Sequence, residues 1–251
     1  MARTVLFSDE AVAKAINEKF EPVWVSVRPV PTVTIDFGNG KKITRTLHGN
    51  VASYVLNADG SIIDILPGLY EPQQYISRLD QLWWVHHYKP MTRDPVAFLA
   101  DYHQKQMVAI KTSGTSLEVR PNADLTKALI EINTKSILKA SSAISKVTKA
   151  RMEGSLEHPD FNEPKALASW RRVHEDTDIN ENQRRAQVHE MLAVRPNAHP
   201  EDVTKKLYRE VLHADIDDPY MGLGPTLFDD YPFREDVPAE LRTSHAVSNS
   251  H

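Results

Sequence analysis

Hydrophobic spacing along the chain changes character twice. Val12, Ile16 and Phe20 recur every four residues behind Ser8, a good N-cap, and behind Asp9 and Glu10, which suit the positive end of a helix dipole. This predicts a helix over 8–20 with one buried face. After Pro22, the run Val23-Trp24-Val25-Ser26-Val27 predicts a largely covered strand, ended by Pro29 and Pro31. Segments 32–37 and 41–47 flank Gly38-Asn39-Gly40, whose small residues tolerate positive φ, and predict a hairpin. A second hairpin pairs 52–57 with 61–66 around Ala58-Asp59-Gly60 and closes at Pro67-Gly68. From Glu71-Pro72 a helix runs through Ile76, Leu79 and Trp83, proline being harmless in a first turn. Together these elements predict one mixed sheet over 8–87, flanked by the two helices.

From Asp94 onward the strand signal fades. Val96, Leu99, His103, Met107 and Ile110 share a helical stripe that Gly114 interrupts. A long helix is expected from about Asp124 to a stop near Gly154, with Lys127, Lys135, Lys139, Lys146 and Lys149 on its polar face. Shorter helices follow at 164–174, 179–193 and 200–213. The run Val119-Arg120-Pro121-Asn122-Ala123 recurs as Val194-Arg195-Pro196-Asn197-Ala198, each copy ahead of an expected helix. Because Pro, Asn and Asp stop one helix and cap the next, the echo reads as shared punctuation or as a duplication. The expected fold class is α+β: an α/β part over 1–90, a helical region over 91–214, and an irregular arm and tail over 215–251.

Composition narrows the functional classes. With 41% hydrophobic and 25% charged residues the chain reads as an ordinary globular protein. A formal net charge of -4 argues against a nucleic-acid-binding surface, since Arg171-Arg172 and Arg184-Arg185 sit among acidic neighbours. No stretch approaches the ~20 apolar residues of a membrane span, and none at the start has signal-peptide length. The chain as given is therefore expected to be soluble, cytoplasmic, or periplasmic if an upstream segment has been removed. It contains no cysteine, which excludes thiol-disulfide chemistry and zinc-thiolate sites.

Phe7-Ser8-Asp9-Glu10-Ala11-Val12 with Asn17-Glu18-Lys19-Phe20-Glu21-Pro22-Val23 resembles the first helix and following strand of thioredoxin-like domains. Tyr54-Val55-Leu56-Asn57-Ala58-Asp59-Gly60, Pro67-Gly68 and the helix from Glu71 resemble that family's terminal hairpin and last helix. The resemblance covers about residues 1–87 and implies a fold more than a function. The family's Cys-x-x-Cys is missing, Val51 stands where its cis-proline is expected, and the 32–47 hairpin occupies the place of a helix. The resemblance thus implies a redox-inactive member.

Histidines offer the rival chemistry. His86 and His103 lie on stripes of neighbouring helices, where two partly buried rings could share a metal or simply pack. Neither has a third ligand in reach by spacing, so no metal is expected there. Val173-His174-Glu175 and Val188-His189-Glu190 lack the His-Glu-x-x-His spacing that puts two ligands on one helix face. His213 to Asp218 lacks the glycine and distal glutamate of a calcium loop. No phosphate-binding glycine loop or serine nucleophile elbow occurs, and no catalytic or cofactor-binding residue is assigned. The arm is distinctive: its prolines and glycines prevent a regular helix, while Tyr220, Leu223, Leu227, Phe228 and Phe233 call for burial on their own domain or on a partner. The expected function is a binding, assembly or structural subunit with a protein partner or a second copy. The alternative is a metal-dependent enzyme using histidines and carboxylates of the helical half.

Overall fold

In the computed structural model, residues 6–46, 50–119 and 164–222 are described, and the first helix departs from expectation in one detail. Asp9 rather than Ser8 caps it, its Oδ1 accepting from the Val12 amide at 2.9 Å, so α1 spans Glu10–Lys19. The hairpins follow as β1 (Thr32–Asp36) with β2 (Lys42–Thr46), and β3 (Ala52–Leu56) with β4 (Ile62–Pro67). Helix α2 covers Pro72–Tyr88, and α3 covers Pro95–Ser113. Asp94 caps α3 through the Val96 and Ala97 amides, and Gly114 ends it at φ 69°, a left-handed position that suits glycine. Then come α4 (Pro164–Ile179), α5 (Arg185–Ala193) and α6 (Pro200–Lys206). The fold is mixed helix and sheet, as the α+β reading requires.

Three expectations are corrected. Residues 23–27 form no strand, and Val23 is 81% and Val25 73% exposed. An apolar run alone does not make a strand when prolines at 22, 29 and 31 remove three amide donors around it. Nor do the hairpins join into one mixed sheet; among the described residues each is a separate two-stranded antiparallel sheet. Finally, the helices expected at 164–174 and 179–193 are one continuous rod, joined through a π-turn at Asn180–Arg184 in which the Arg185 amide reaches back to the Asn180 carbonyl. The lysine-faced helix expected over 124–154 lies outside the described residues.

The chain divides into two compact units, one of Met1–Trp24 and Val51–Pro200, the other of Val25–Asn50 and Glu201–His251. In the first, Leu6 and Val12 pack with Val55, Ile63, Leu66, Tyr75, Leu79, Leu82 and Val85. Leu99 of α3 joins the same core. Strand β4 is buried along its whole length. The loop after it is pinned to the rod. Gly68, at φ 75°, donates to the Val51 carbonyl, and a Cβ there would sit 2.7 Å from Asn180 Oδ1. The Leu69 amide donates to Asp176 Oδ2 at 2.9 Å, the Leu69 carbonyl accepts from Asn180 Nδ2, and the Glu71 amide donates to Thr177 Oγ1.

In the second unit the β1–β2 hairpin runs in the register Val33↔Arg45, Ile35↔Ile43, with Thr34 and Thr44 hydroxyls 2.9 Å apart on the opposite face. Its turn is held by Asp36 Oδ1 on the Gly38 amide and Asn39 Oδ1 on the Lys41 amide. After α6 a second π-turn, Leu207–Val211, leads into a tight loop over 212–222. Arg28 clamps that loop through the carbonyls of Ile216 (2.9 Å) and Asp218 (2.6 Å).

Candidate functional site

Asp64 is the one charged residue of the β4 run Ile62-Ile63-Asp64-Ile65-Leu66, and its side chain is completely buried. Burying a lone carboxylate is prohibitive unless it is paired and hydrogen-bonded. Two helices supply the partners. From α5, Arg185 Nη2 lies 3.1 Å from Asp64 Oδ2, and from α3 the Tyr102 hydroxyl donates to the same oxygen at 3.2 Å. Asp64 Oδ1 accepts from the Ile65 amide at 2.8 Å. One turn along α5 from Arg185, His189 enters the same space, and its Nδ1 lies 2.9 Å from Nδ1 of His103 on α3. Arg78 of α2 and Glu181 of the π-turn flank the group as a second ion pair, Arg78 Nε to Glu181 Oε1 at 3.0 Å.

Burial sets the protonation states. It would raise the Asp64 carboxyl, but His189, the Arg185 guanidinium and His103 outweigh it and hold that group at about 2. Burial pushes His103 down to about 4, against the pull of Asp64, and pushes His189 well below its ordinary value for the same reason. Burial likewise raises the Tyr70 and Tyr102 phenols, so both stay protonated. At neutral pH the cluster therefore holds an ionised Asp64, a charged Arg185 and two neutral imidazoles.

Hydrogen-bond direction then fixes the tautomers. An arginine only donates, and Arg185 Nη2 points at His189 Nε2 at 3.1 Å, so that nitrogen carries the lone pair. The His189 proton sits on Nδ1 and is donated to His103 Nδ1, leaving the His103 proton on Nε2. Among the described residues His103 Nε2, Tyr70 Oη, Arg185 Nε and Arg185 Nη1 are buried without a hydrogen-bond partner. Each such group costs about 1–3 kcal/mol.

Asp64, His103 and His189 each offer a ligand atom, all within 4.8 Å of one another, and two imidazoles with one carboxylate are a familiar donor set for divalent metals. The fit is poor as the side chains stand. A metal on both Nδ1 atoms would require His189 to carry its proton on Nε2, facing the Arg185 donor. Metal-bound histidines normally give that proton to an acceptor. Arg185 also already neutralises Asp64. As for substrate chemistry, a general acid or base must reach the proton it moves, and Asp64, His103 and His189 are all 0% exposed. What the arrangement does is tie β4, α3 and α5 into one body.

The residues singled out from the sequence are placed as follows. His103 belongs to the cluster, whereas exposed His86 faces Asn57, Nδ1 to Oδ1 at 3.3 Å. His103's partners are His189 and Asp64. Asp64 was missed, and its signal was an acidic residue inside an apolar strand run. Tyr220 is partly buried in the clamped 212–222 loop, and Leu223, Leu227, Phe228 and Phe233 lie outside the described residues. Among the described residues no helix is long and apolar enough to cross a membrane. Comparison with known proteins gives no match, whether among protein families, curated proteins or solved structures.

Proposed function

We propose that the chain is a non-catalytic binding or assembly subunit whose contact surface is the β1–β2 hairpin. One observation carries this: Val33, Ile35 and Phe37, alternate residues and so on one face, stand 37–56% exposed beside Ile43, which is paired with Ile35 and is itself 41% exposed. A two-stranded hairpin is marginal alone, among the described residues no further strand pairs with either of its edges, and each such side chain gains about 1.5–3 kcal/mol when fully covered. The order of helix, two hairpins and helix around 10–88 supports a thioredoxin-like character for the N-terminal part, and the absence of cysteine supports a redox-inactive one. In the double variant Ile35→Asp/Ile43→Asp, the mass measured by light scattering, or the partner retained by the wild type, should fall to the monomer with little loss of melting temperature. Association that survives both substitutions would refute this use of the hairpin.

A second reading is favoured by the convergence of Asp64, His103 and His189: the first unit holds a divalent metal that displaces Arg185 from His189. Under the binding reading, elemental analysis of protein without a histidine tag, exposed to Zn²⁺ and then desalted, gives no stoichiometric metal. Zinc near one equivalent, lost in His103→Ala and His189→Ala, would establish the metal reading instead.

A further inference from the structure

Hydrogen-bond phase along the β1–β2 hairpin decides which of its amide groups face outward. In antiparallel strands, pairs that exchange amide bonds alternate with pairs whose N–H and C=O groups point away from each other. The Phe37 amide donates to the Lys41 carbonyl at 3.1 Å, which makes 37 and 41 a bonded pair and, by alternation along the register, 35 with 43 and 33 with 45 as well. Thr34 and Thr44 are therefore a non-bonded pair, and the 2.9 Å between their hydroxyls agrees with the closer approach of side chains at such pairs. Thr32, Thr34 and Asp36 are left with N–H and C=O groups facing out along the open edge of β1, and among the described residues no further strand pairs there. This outward row is symmetric about Thr34. A second copy laid antiparallel on it brings Thr34 opposite Thr34 and, twice, Thr32 opposite Asp36, each pair exchanging both of its amide bonds.

Charge and packing agree with that register. Asp36 is the sole charged residue of β1, Lys42 of its own hairpin already matches it at 2.9 Å, and it would meet Thr32 of the copy, so no like charges stand opposed. On the apolar face Val33 stands opposite Ile35 of the copy and continues the row. The edge of β2 is less suited, because a two-fold pairing about Thr44 would set the Arg45 position against the Ile43 position of the copy. Every residue of β1 is exposed, and a lone hairpin falls short of the three strands with an apolar face that sustain a sheet by themselves. We propose that β1 pairs with β1 of a second copy, antiparallel about Thr34, forming a four-stranded sheet that presents the apolar residues of both hairpins as one face. This inference rests on the reading of the hairpin as the contact surface and names a second copy of the chain as the partner at its edge.

The test uses the full chain, whose lack of cysteine lets a single introduced thiol report one contact. Thr34→Cys should form an intermolecular disulfide on mild oxidation, because the Cα atoms of a bonded pair lie about 5.5 Å apart, within the span of a disulfide. Thr44→Cys, on the same face one strand away, should cross-link roughly tenfold more slowly, since its two copies would be three strand spacings or about 14 Å apart. Equal cross-linking at the two positions, or none at 34, overturns the pairing. Thr34→Pro removes an outward amide and spares the ladder within the hairpin, as proline does on an edge strand, so the mass by light scattering should fall from dimer to monomer with the apolar face intact. A monomeric wild type overturns the pairing and leaves the apolar face to a different protein. The two ideas separate in the variants. If Thr34→Pro is monomeric and Ile35→Asp/Ile43→Asp remains dimeric, the edge pairing stands and the apolar-face reading falls. If Thr34→Pro remains dimeric and Ile35→Asp/Ile43→Asp is monomeric, the edge pairing falls and the apolar-face reading stands. Two monomeric variants support both ideas, and two dimeric ones overturn both.

Discussion

Asp64→Ala is expected to cost about 3–5 kcal/mol, because it removes the nearest counter-ion of the buried, charged Arg185 guanidinium and leaves it the more distant Glu181 carboxylate, 4.0 Å from Nε. For a chain of this size that corresponds to a fall in melting temperature of about 6–20 °C. The desolvation of Arg185, which is 1% exposed, decides the magnitude. Removing both charges in Asp64→Ala/Arg185→Leu should therefore recover much of the loss, since the large term is the orphaned charge and the net worth of the pair is small. Calorimetry on the two single variants and the double variant would measure this. Equal additive losses from the two single substitutions would show that the pair is uncoupled and that the cluster does not bind β4 to α5.

The second large effect is a dependence of stability on acid. Unfolded, an imidazole takes its proton near pH 6.5; in the fold burial delays this to near 4 for His103 and to well below 6.5 for His189. Between those values the unfolded chain binds more protons, so stability is full above pH 6.5 and falls as pH drops. His103 alone accounts for about 3 kcal/mol by pH 4, at up to about 1.4 kcal/mol per pH unit, and His189 adds to it in the same direction. Asp64 extends the loss: its contribution is complete above the ordinary value of 3.8 and disappears as pH falls towards about 2. Urea unfolding at a series of pH values should show this slope, reduced by about one proton in His103→Gln. A slope between pH 6.5 and 4 that is identical in wild type and His103→Gln would rule out the buried imidazole as its source.

The parts of this molecule that could be read from sequence are those fixed by neighbours along the chain. Gly38-Asn39-Gly40 and Ala58-Asp59-Gly60 specify their turns locally, and Asp94, Pro95 and Gly114 delimit α3 by capping and by a positive φ. The strand expected at 23–27 failed because a ladder needs a partner, which no local pattern reveals. The cluster was half legible. His103 could be seen on its stripe, but Tyr102 and Asp64 are 38 residues apart, His103 and His189 86, and Asp64 and Arg185 121. Spacing rules work within one helix and say nothing across such separations. An acid amid isoleucines and leucine at 62–66 was the available sign, since such a residue must have found a cation.

The π-turn at Asn180–Arg184 lets one helical rod serve two addresses. Before it, Asp176 and Thr177 hold the 68–71 loop; after it, Arg185 and His189 address Asp64. An ordinary α-helix would turn the later residues by about 100° for every residue lost or gained between the two. The bulge is thus a phase adjuster, and the rod would not tolerate single-residue deletions here as a surface loop does. Deleting any one of residues 180–184 would leave a longer regular helix, better by local rules, with its carboxyl half facing the wrong way.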